Sequence, residues 1–280
     1  MEEQLNRLAE KVWGKYGKTD RSTRVLIAIA GLPGSGKTSV ASSLVKKLNE
    51  HYHKDWRSKH PNFPGTPPYN PDIAYYVPLD GFHLTRAQLA AMPDPEEAAY
   101  RRGAPFTFDG EKYFELVRKL RERVLPESTT IYAPSFDHAV KDPVENDIPI
   151  PPTARIVVLE GLYVALDQEP WRDAAKLMDE LWFVDVPMDL AIERLVIRHV
   201  EAGLSPDAGH ARTRVMASDM QNGQYVLDHR LPIQEMIQSI EEGAWKTTKS
   251  ELQEAAEGKN RPGPGRMSST AKLAALGAGC

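Results

Sequence analysis

Short apolar runs recur along the chain at residues 24–30, 73–79, 129–133, 155–159 and 181–186, each followed by a turn or by a pattern of helical period. Runs of this length bounded by polar turns read as buried strands. Helical spacing is expected over residues 38–50, 110–123, 189–201, 206–227 and 233–256. In the third of these, Ala191, Ile192, Leu195, Val196 and Val200 fall on one face, and Asp189 reads as the N-cap. Strands alternating with helices predict an α/β fold, a mostly parallel sheet with helices on both faces.

The N-terminus places Leu5, Leu8 and Val12 at helical spacing among acidic residues, so residues 1–20 read as an amphipathic helix attached to a domain spanning 21–256. Pro61, Pro64, Pro67, Pro68 and Pro71 can continue neither a helix nor a central strand, which marks 54–72 as a surface insertion. A second proline-rich stretch, 142–152, is expected to run over the surface. Residues 257–280 have a composition that favours disorder.

With 41% hydrophobic residues in 280, the chain can bury a sizeable core. A formal net charge of −4 gives no sign of a polyanion-binding surface, so nucleic acid is not the expected partner. The single cysteine, Cys280, allows no internal disulfide. No apolar stretch approaches the roughly 20 residues that span a bilayer, and the acidic N-terminus is unlike a secretory leader. A protein of the cytoplasm that does not enter membranes is expected; a homodimer is left open.

Directly after the first apolar run come Gly31, Leu32, Pro33, Gly34, Ser35, Gly36, Lys37, Thr38 and Ser39, which match G-x-x-x-x-G-K-[ST] between a strand and a helix. Small residues let backbone N–H groups converge on phosphate oxygens, and the following helix N-terminus favours negative charge. Lys37 is expected to reach the β- and γ-phosphates and Thr38 to place its hydroxyl on Mg²⁺. ATP and Mg²⁺ are therefore the expected cofactors. Ser39 stands where a dinucleotide-binding fingerprint needs a third glycine or alanine.

Acidic residues end two of the predicted strands: Asp80 after 73–79 and Glu160 after 155–159. Functional groups gather at such strand ends in open α/β sheets. Asp80 can accept a proton from an attacking hydroxyl, help hold the metal, or cap the next helix. Glu160 is placed for Mg²⁺ and its waters. Arg194 and Arg198, four apart on a predicted helix, share a face, and Arg212 and Arg214 follow; a lid over 199–215 carrying arginines to a transferring phosphoryl group is expected. The stretches 101–109 and 132–138, rich in polar and aromatic residues, read as substrate loops.

Four motifs in these segments, D-G-F-H (80–83), R-x-G-A-P-x-T-F-D (101–109), Y-A-P-x-F-D-H (132–138) and E-G-x-Y (160–163), together with the phosphate loop, resemble the phosphoribulokinase, uridine kinase and type I pantothenate kinase family over residues 24–230. The resemblance implies a P-loop NTPase fold with a helical lid. It implies Asp80 as catalytic carboxylate, Glu160 as metal-associated acid and Arg194 and Arg198 as lid arginines. Arg102, Asp109, Tyr132 and His138 would contact substrate, with His83 close by. The implied activity is ATP-dependent phosphorylation of a hydroxyl on a small molecule: a nucleoside, a sugar or a pantothenate-like compound. A nucleotide-sensing ATPase or binding protein is the alternative.

Overall fold

Residues 1–61 and 71–239 are described by the structure, a computed structural model. Strand β1 (Val25–Gly31) is buried along its whole length and divides its side chains between two apolar layers. Leu26, Ala28 and Ala30 enter one layer, and Val25, Ile27 and Ile29 enter the other. That two-sided burial follows from the period of two in an extended chain, and it is why the run reads as continuously apolar.

Helices α1 (Glu2–Lys18) and α2 (Lys37–Lys59) cover the second layer with Leu5, Leu8, Val12, Val40, Leu44 and Leu48. Strand β2 (Ala74–Pro78) leads through a 3₁₀ turn (Leu79–Phe82) to the short helices α3 (Arg86–Ala90) and α4 (Pro95–Tyr100). Helix α5 (Gly110–Arg121) then packs Tyr113, Leu116, Val117 and Leu120 on the first layer. Strands β3 (Ile131–Asp137) and β4 (Asp142–Ile150) precede β5 (Ile156–Glu160), α6 (Trp171–Lys176) and β6 (Glu180–Asp185). Helices α7 (Met188–Glu201), α8 (Ala208–Arg214) and α9 (Met220–His229) come next, the last two joined through a π-helical segment, Val215–Asp219, and β7 (Glu235–Gln238) ends the described chain.

The central sheet has the order β2-β5-β1-β6-β7, and every pair in it is parallel. Both of its edges are closed by carboxamide side chains. At the β2 edge, Asn49 of α2 accepts from the backbone N–H groups of Ile73 and Ala74 at 3.0 and 2.8 Å and donates to the Ala74 carbonyl at 3.0 Å. At the β7 edge, Gln4 of α1 accepts from the Gln238 N–H at 3.0 Å and donates to its carbonyl at 3.1 Å. Each amide imitates a neighbouring strand, which blunts an edge that would otherwise template association.

Several elements differ from the sequence reading. The predicted third strand, 129–133, begins at Ile131, extends to Asp137 and leaves the parallel sheet to pair antiparallel with β4. The proline-rich stretch 142–152 is largely a strand and, with residues 144–147 exposed, runs over the surface as expected; its Pro143 and Pro149 sit in a two-stranded ribbon, where each strand has a free edge. The expected helix at 233–256 starts instead as β7, whose Ile237 is buried against the sheet; the rest of that span, from 240, lies outside the described residues. Pro187, not Asp189, caps α7. Helix α2 runs past residue 50 to Lys59, into the span read as an insertion; 62–70 and the tail 257–280 lie outside the described residues. Among the described residues no helix is long and apolar enough to cross a membrane.

Replacing Asn49 with Ala strands the Ile73 and Ala74 backbone groups in a site where both residues are buried. The expected loss, read from urea unfolding, is about 2–4 kcal/mol. Gly14→Ala is expected to gain about 0.5–1 kcal/mol in the same experiment, because an added Cβ in the middle of α1 meets nothing within 4 Å.

Candidate active site

The turn from β1 into α2 carries two residues in the left-handed region, Gly34 at φ 79° and Gly36 at φ 85°. Only glycine takes these values without strain, and Gly34 has a second constraint: an added Cβ would lie 2.7 Å from the Ala191 carbonyl oxygen of α7. Gly36 caps α2 without a side-chain hydrogen bond, and the first turn of that helix holds no acidic residue. Its N–H groups and dipole are thus left for an anion, as phosphate binding requires.

Sheet order sets the rest. Strand β5 lies between β1 and β2, with Ile29 and Pro78 both in register with Glu160. Glu160 therefore ends beside the phosphate loop on one side and the turn holding Asp80 on the other. The Thr38 hydroxyl donates to Glu160 Oε1 at 3.0 Å. Glu160 is 4% exposed, and burial raises its pKa to about 7. The Lys37 ammonium opposes that rise, the Asp80 charge adds to it, and the Thr38 hydrogen bond opposes it. Lys37, Thr38, Asp80 and Glu160 thus meet at one point.

Asp80 is exposed and makes no side-chain hydrogen bond among the described residues. It does not cap the following helix: Thr85 does, in a capping box with Gln88. Gly81 next to it meets the β3–β4 hairpin so closely that an added Cβ would lie 2.1 Å from the Pro134 carbonyl oxygen. The hairpin is thereby held against the turn that presents Asp80.

The donors available for a metal ion are the hard oxygens of Thr38, Glu160 and Asp80. Among the described residues no group of three or more His, Cys, Asp or Glu side chains is arranged to hold a metal unaided. Mg²⁺ suits such a set, since it takes one or two carboxylates and completes its shell with phosphate oxygens and water.

The residues proposed for substrate contact fall into separate groups. His83 donates from Nδ1 to the Asp80 carbonyl at 2.9 Å, and its ring lies 3.9 Å from Phe108 and 5.1 Å from Phe136. Burial lowers its pKa, against the pull of Asp80, so the ring is neutral at pH 7. His138 is edge-on to Phe136, which joins it to the same aromatic wall. Arg102 stacks on Phe136 but spends its guanidinium on the Lys141 and Leu84 carbonyls and on Asp142, bracing the hairpin. Asp109 caps α5 through the Lys112 N–H at 2.9 Å. Tyr132 is half exposed and lies six residues of strand from His138, up to about 20 Å away.

Arg194 donates from Nη1 to the Gly34 carbonyl at 3.3 Å, so it touches the phosphate loop itself. Arg198, one turn on, is exposed and faces the buried His199–Asp219 pair, whose nearest atoms are 3.6 Å apart. The two arginines are not brought to one target.

The stretch 101–109, read from the sequence as a substrate loop, lines a cavity of about 890 Å³ with Arg101, Phe106, Phe108 and Asp109; sequence reasoning missed Trp171 and Asn222, which also line it. Phe108, which lines it, also packs against His83 and the buried Tyr163, whose hydroxyl donates to the Gly103 carbonyl at 2.6 Å. Trp171 begins α6, a short helix with no clear periodicity, and Asn222 sits on α9, where its neighbours read as ordinary core. For these two the one signal available was Asn222 itself, an amide on an otherwise apolar helix face.

The profile of the phosphoribulokinase / uridine kinase family matches residues 26–221. The ATP-dependent kinase-like protein notR' of Aspergillus versicolor is 55% identical over 159 residues, which is 57% of this chain and 92% of that one. A Schizosaccharomyces pombe protein, C227.14, named as a candidate uridine kinase, is 37% identical over 72% of this chain and 78% of its own. The crystal structure of YFH7 from Saccharomyces cerevisiae, described as a candidate P-loop kinase with a circular permutation, superposes with a TM-score of 0.72 at 25% identity, covering 84% of this chain and 98% of that one. The match spans the phosphate loop, Asp80, Glu160 and Arg194 alike, and the chain belongs to the phosphoribulokinase / uridine kinase family.

Proposed function

We propose that this protein transfers the γ-phosphoryl group of ATP to a hydroxyl of a small molecule. The observation that carries the reading is the meeting of Thr38 and Glu160 at 3.0 Å beside Lys37 and a free Asp80 carboxylate, at the mouth of an anion-ready helix. In the reaction the acceptor oxygen forms a bond to the γ-phosphorus, the bond to the bridging oxygen breaks, and ADP leaves.

Residues 31–39 hold the phosphates, and Lys37 offsets their charge. Thr38 and Glu160 hold Mg²⁺, directly or through water; when bound, the ion neutralises charge on the phosphate oxygens. Asp80 orients the acceptor hydroxyl and takes its proton, a role its exposure and lack of partners leave open to it. Arg194 adds positive charge beside the loop. The acceptor lies against the wall of His83, Phe136 and His138, with the cavity beyond Phe108 taking its remainder. Aromatic faces and the neutral His83 imidazole suit a nucleoside, a sugar or a pantothenate-like compound better than a polyanion.

The test is ADP release from Mg-ATP over a panel of nucleosides, ketoses, pentoses and pantothenate. Lys37→Ala is expected to abolish turnover. Asp80→Asn is expected to lower kcat at least ~100-fold while Mg-ATP affinity stays within a few-fold, the scale of losing a general base. Full activity in Asp80→Asn removes the assigned role, and ADP release independent of any acceptor replaces the kinase reading with an ATPase.

Glu160 gives a pH dependence of known sign. Its carboxyl holds a proton in the folded protein up to about pH 7, above its ordinary value. The stability gained by burying the neutral form is complete below the unfolded pKa and is lost as pH rises through 7, on the order of 3 kcal/mol in all. Metal-nucleotide binding needs the carboxylate, so Mg-ATP affinity is expected to climb from pH 5.5 to 7.5 and then level off. Glu160→Gln should flatten the stability curve of the nucleotide-free protein, making it more stable than the parent at pH 8, while weakening Mg-ATP. Calorimetric titration and thermal melts across pH check both.

A further inference from the structure

Most strand ends of the parallel sheet already serve the site. Strand β1 opens the phosphate loop, β2 presents Asp80, β5 presents Glu160 and β6 launches the helix carrying Arg194. The last, β7, is followed directly by Ser239. Its backbone N–H donates to the Asp185 carbonyl at 2.8 Å, continuing the register that pairs Asp185 with Gln238. The Ser239 hydroxyl is the nearest group to a Cβ built on Gly36 of the phosphate loop, at 4.0 Å. It also accepts from Arg194 Nη1 at 2.9 Å, the same nitrogen that donates to the Gly34 carbonyl at 3.3 Å.

We propose that Ser239 is a positioning residue for Arg194, holding its guanidinium against the phosphate loop so that nucleotide phosphate meets an arginine already in place. The proposal rests on the reading of residues 31–39 as a nucleotide-phosphate site. An arginine carries several rotatable bonds and loses much freedom when its head is fixed. With the 3.3 Å contact to Gly34 alone, that head is weakly held. The Ser239 hydroxyl supplies the shorter bond, and the Ser239 backbone is itself tied to Asp185 of β6. The two bonds occupy both N–H groups of Nη1, which leaves Nε and Nη2, three further donors, without a partner among the described residues. An arginine anchored through one nitrogen and open at the others is arranged to receive an anion at no further ordering cost.

The experiment is titration of the full chain with N-methylanthraniloyl-ATP and Mg²⁺, for the parent, Ser239→Ala, Ser239→Thr, Arg194→Ala and the double variant Arg194→Ala/Ser239→Ala, with melting curves run beside it. Loss of a positioning hydrogen bond, on the scale of an ordinary net hydrogen bond, predicts a fall in affinity of ~3–10-fold for Ser239→Ala. Ser239→Thr, which keeps the hydroxyl, should bind within twofold of the parent. In the Arg194→Ala background, removing the hydroxyl should cost nothing more. Unchanged affinity in Ser239→Ala overturns the proposal, as does a loss in the double variant that equals the sum of the single losses. A lowered Tm with unchanged affinity assigns the hydroxyl a structural role only and overturns it too. Failure of the parent to bind Mg-nucleotide removes the nucleotide reading of the loop, and this proposal with it; binding by the parent with no effect of Ser239→Ala removes the proposal alone.

Discussion

The register that places Glu160 beside Ile29 on one side and Pro78 on the other is the constraint on which the site depends. Shift β5 by one residue and the carboxylate turns to the opposite face of the sheet, because side chains alternate along a strand. The buried runs of β1 and β5 fix that register from both faces at once: Val157 and Leu159 enter one apolar layer, Ile156 and Val158 the other. Core packing, which has no chemical role of its own, is thus what brings a hydroxyl, two carboxylates and a lysine to one point.

That arrangement works against stability where it serves chemistry. A carboxyl buried at 4% exposure beside another carboxylate is held in an environment that favours its neutral form. Hydrophobic residues at the same strand end would pack at lower cost. A cation arriving with its phosphates changes the balance, since it supplies the charge that burial withholds. The same logic separates Asp80 from Glu160, two acids at neighbouring strand ends with different surroundings: one buried and inclined to stay protonated, one exposed and unpartnered.

The parts of the fold legible in the sequence are those where one local pattern has one physical meaning. Gly34 and Gly36 between an apolar strand and a helix can hardly be anything but a phosphate turn, and the positive φ at both shows why glycine is needed. Residues 233–240 show the opposite case. Ile233, Ile237 and Ile240 fit helical spacing, yet the backbone at Glu235–Gln238 is paired to β6. A four-residue edge strand that buries one side chain leaves too little period to read, and its partner lies some fifty residues away. Strand β4 was obscured by Pro143 and Pro149, which argue against a strand unless the pairing partner leaves their missing N–H groups on a free edge. Asp109 was recognised as important, but its visible work is to cap α5; capping and substrate contact call for the same residue type at the same kind of position.

The contact between α7 and the phosphate loop was beyond any local pattern. Gly34 in the sequence signals a turn, and nothing beside it signals that its missing Cβ also makes room for the Ala191 carbonyl. With that room, the first two turns of α7 lie on the loop rather than above it, and Arg194 reaches the Gly34 carbonyl from a helix seated on its target. Arg198, a turn farther along, leaves the loop for the His199–Asp219 pair, where α7 meets the π-helical segment before α9. One helix thus serves two neighbours with arginines four residues apart. Its near end lies against the phosphate loop at Ala191, and its far end runs into the turn at Gly203.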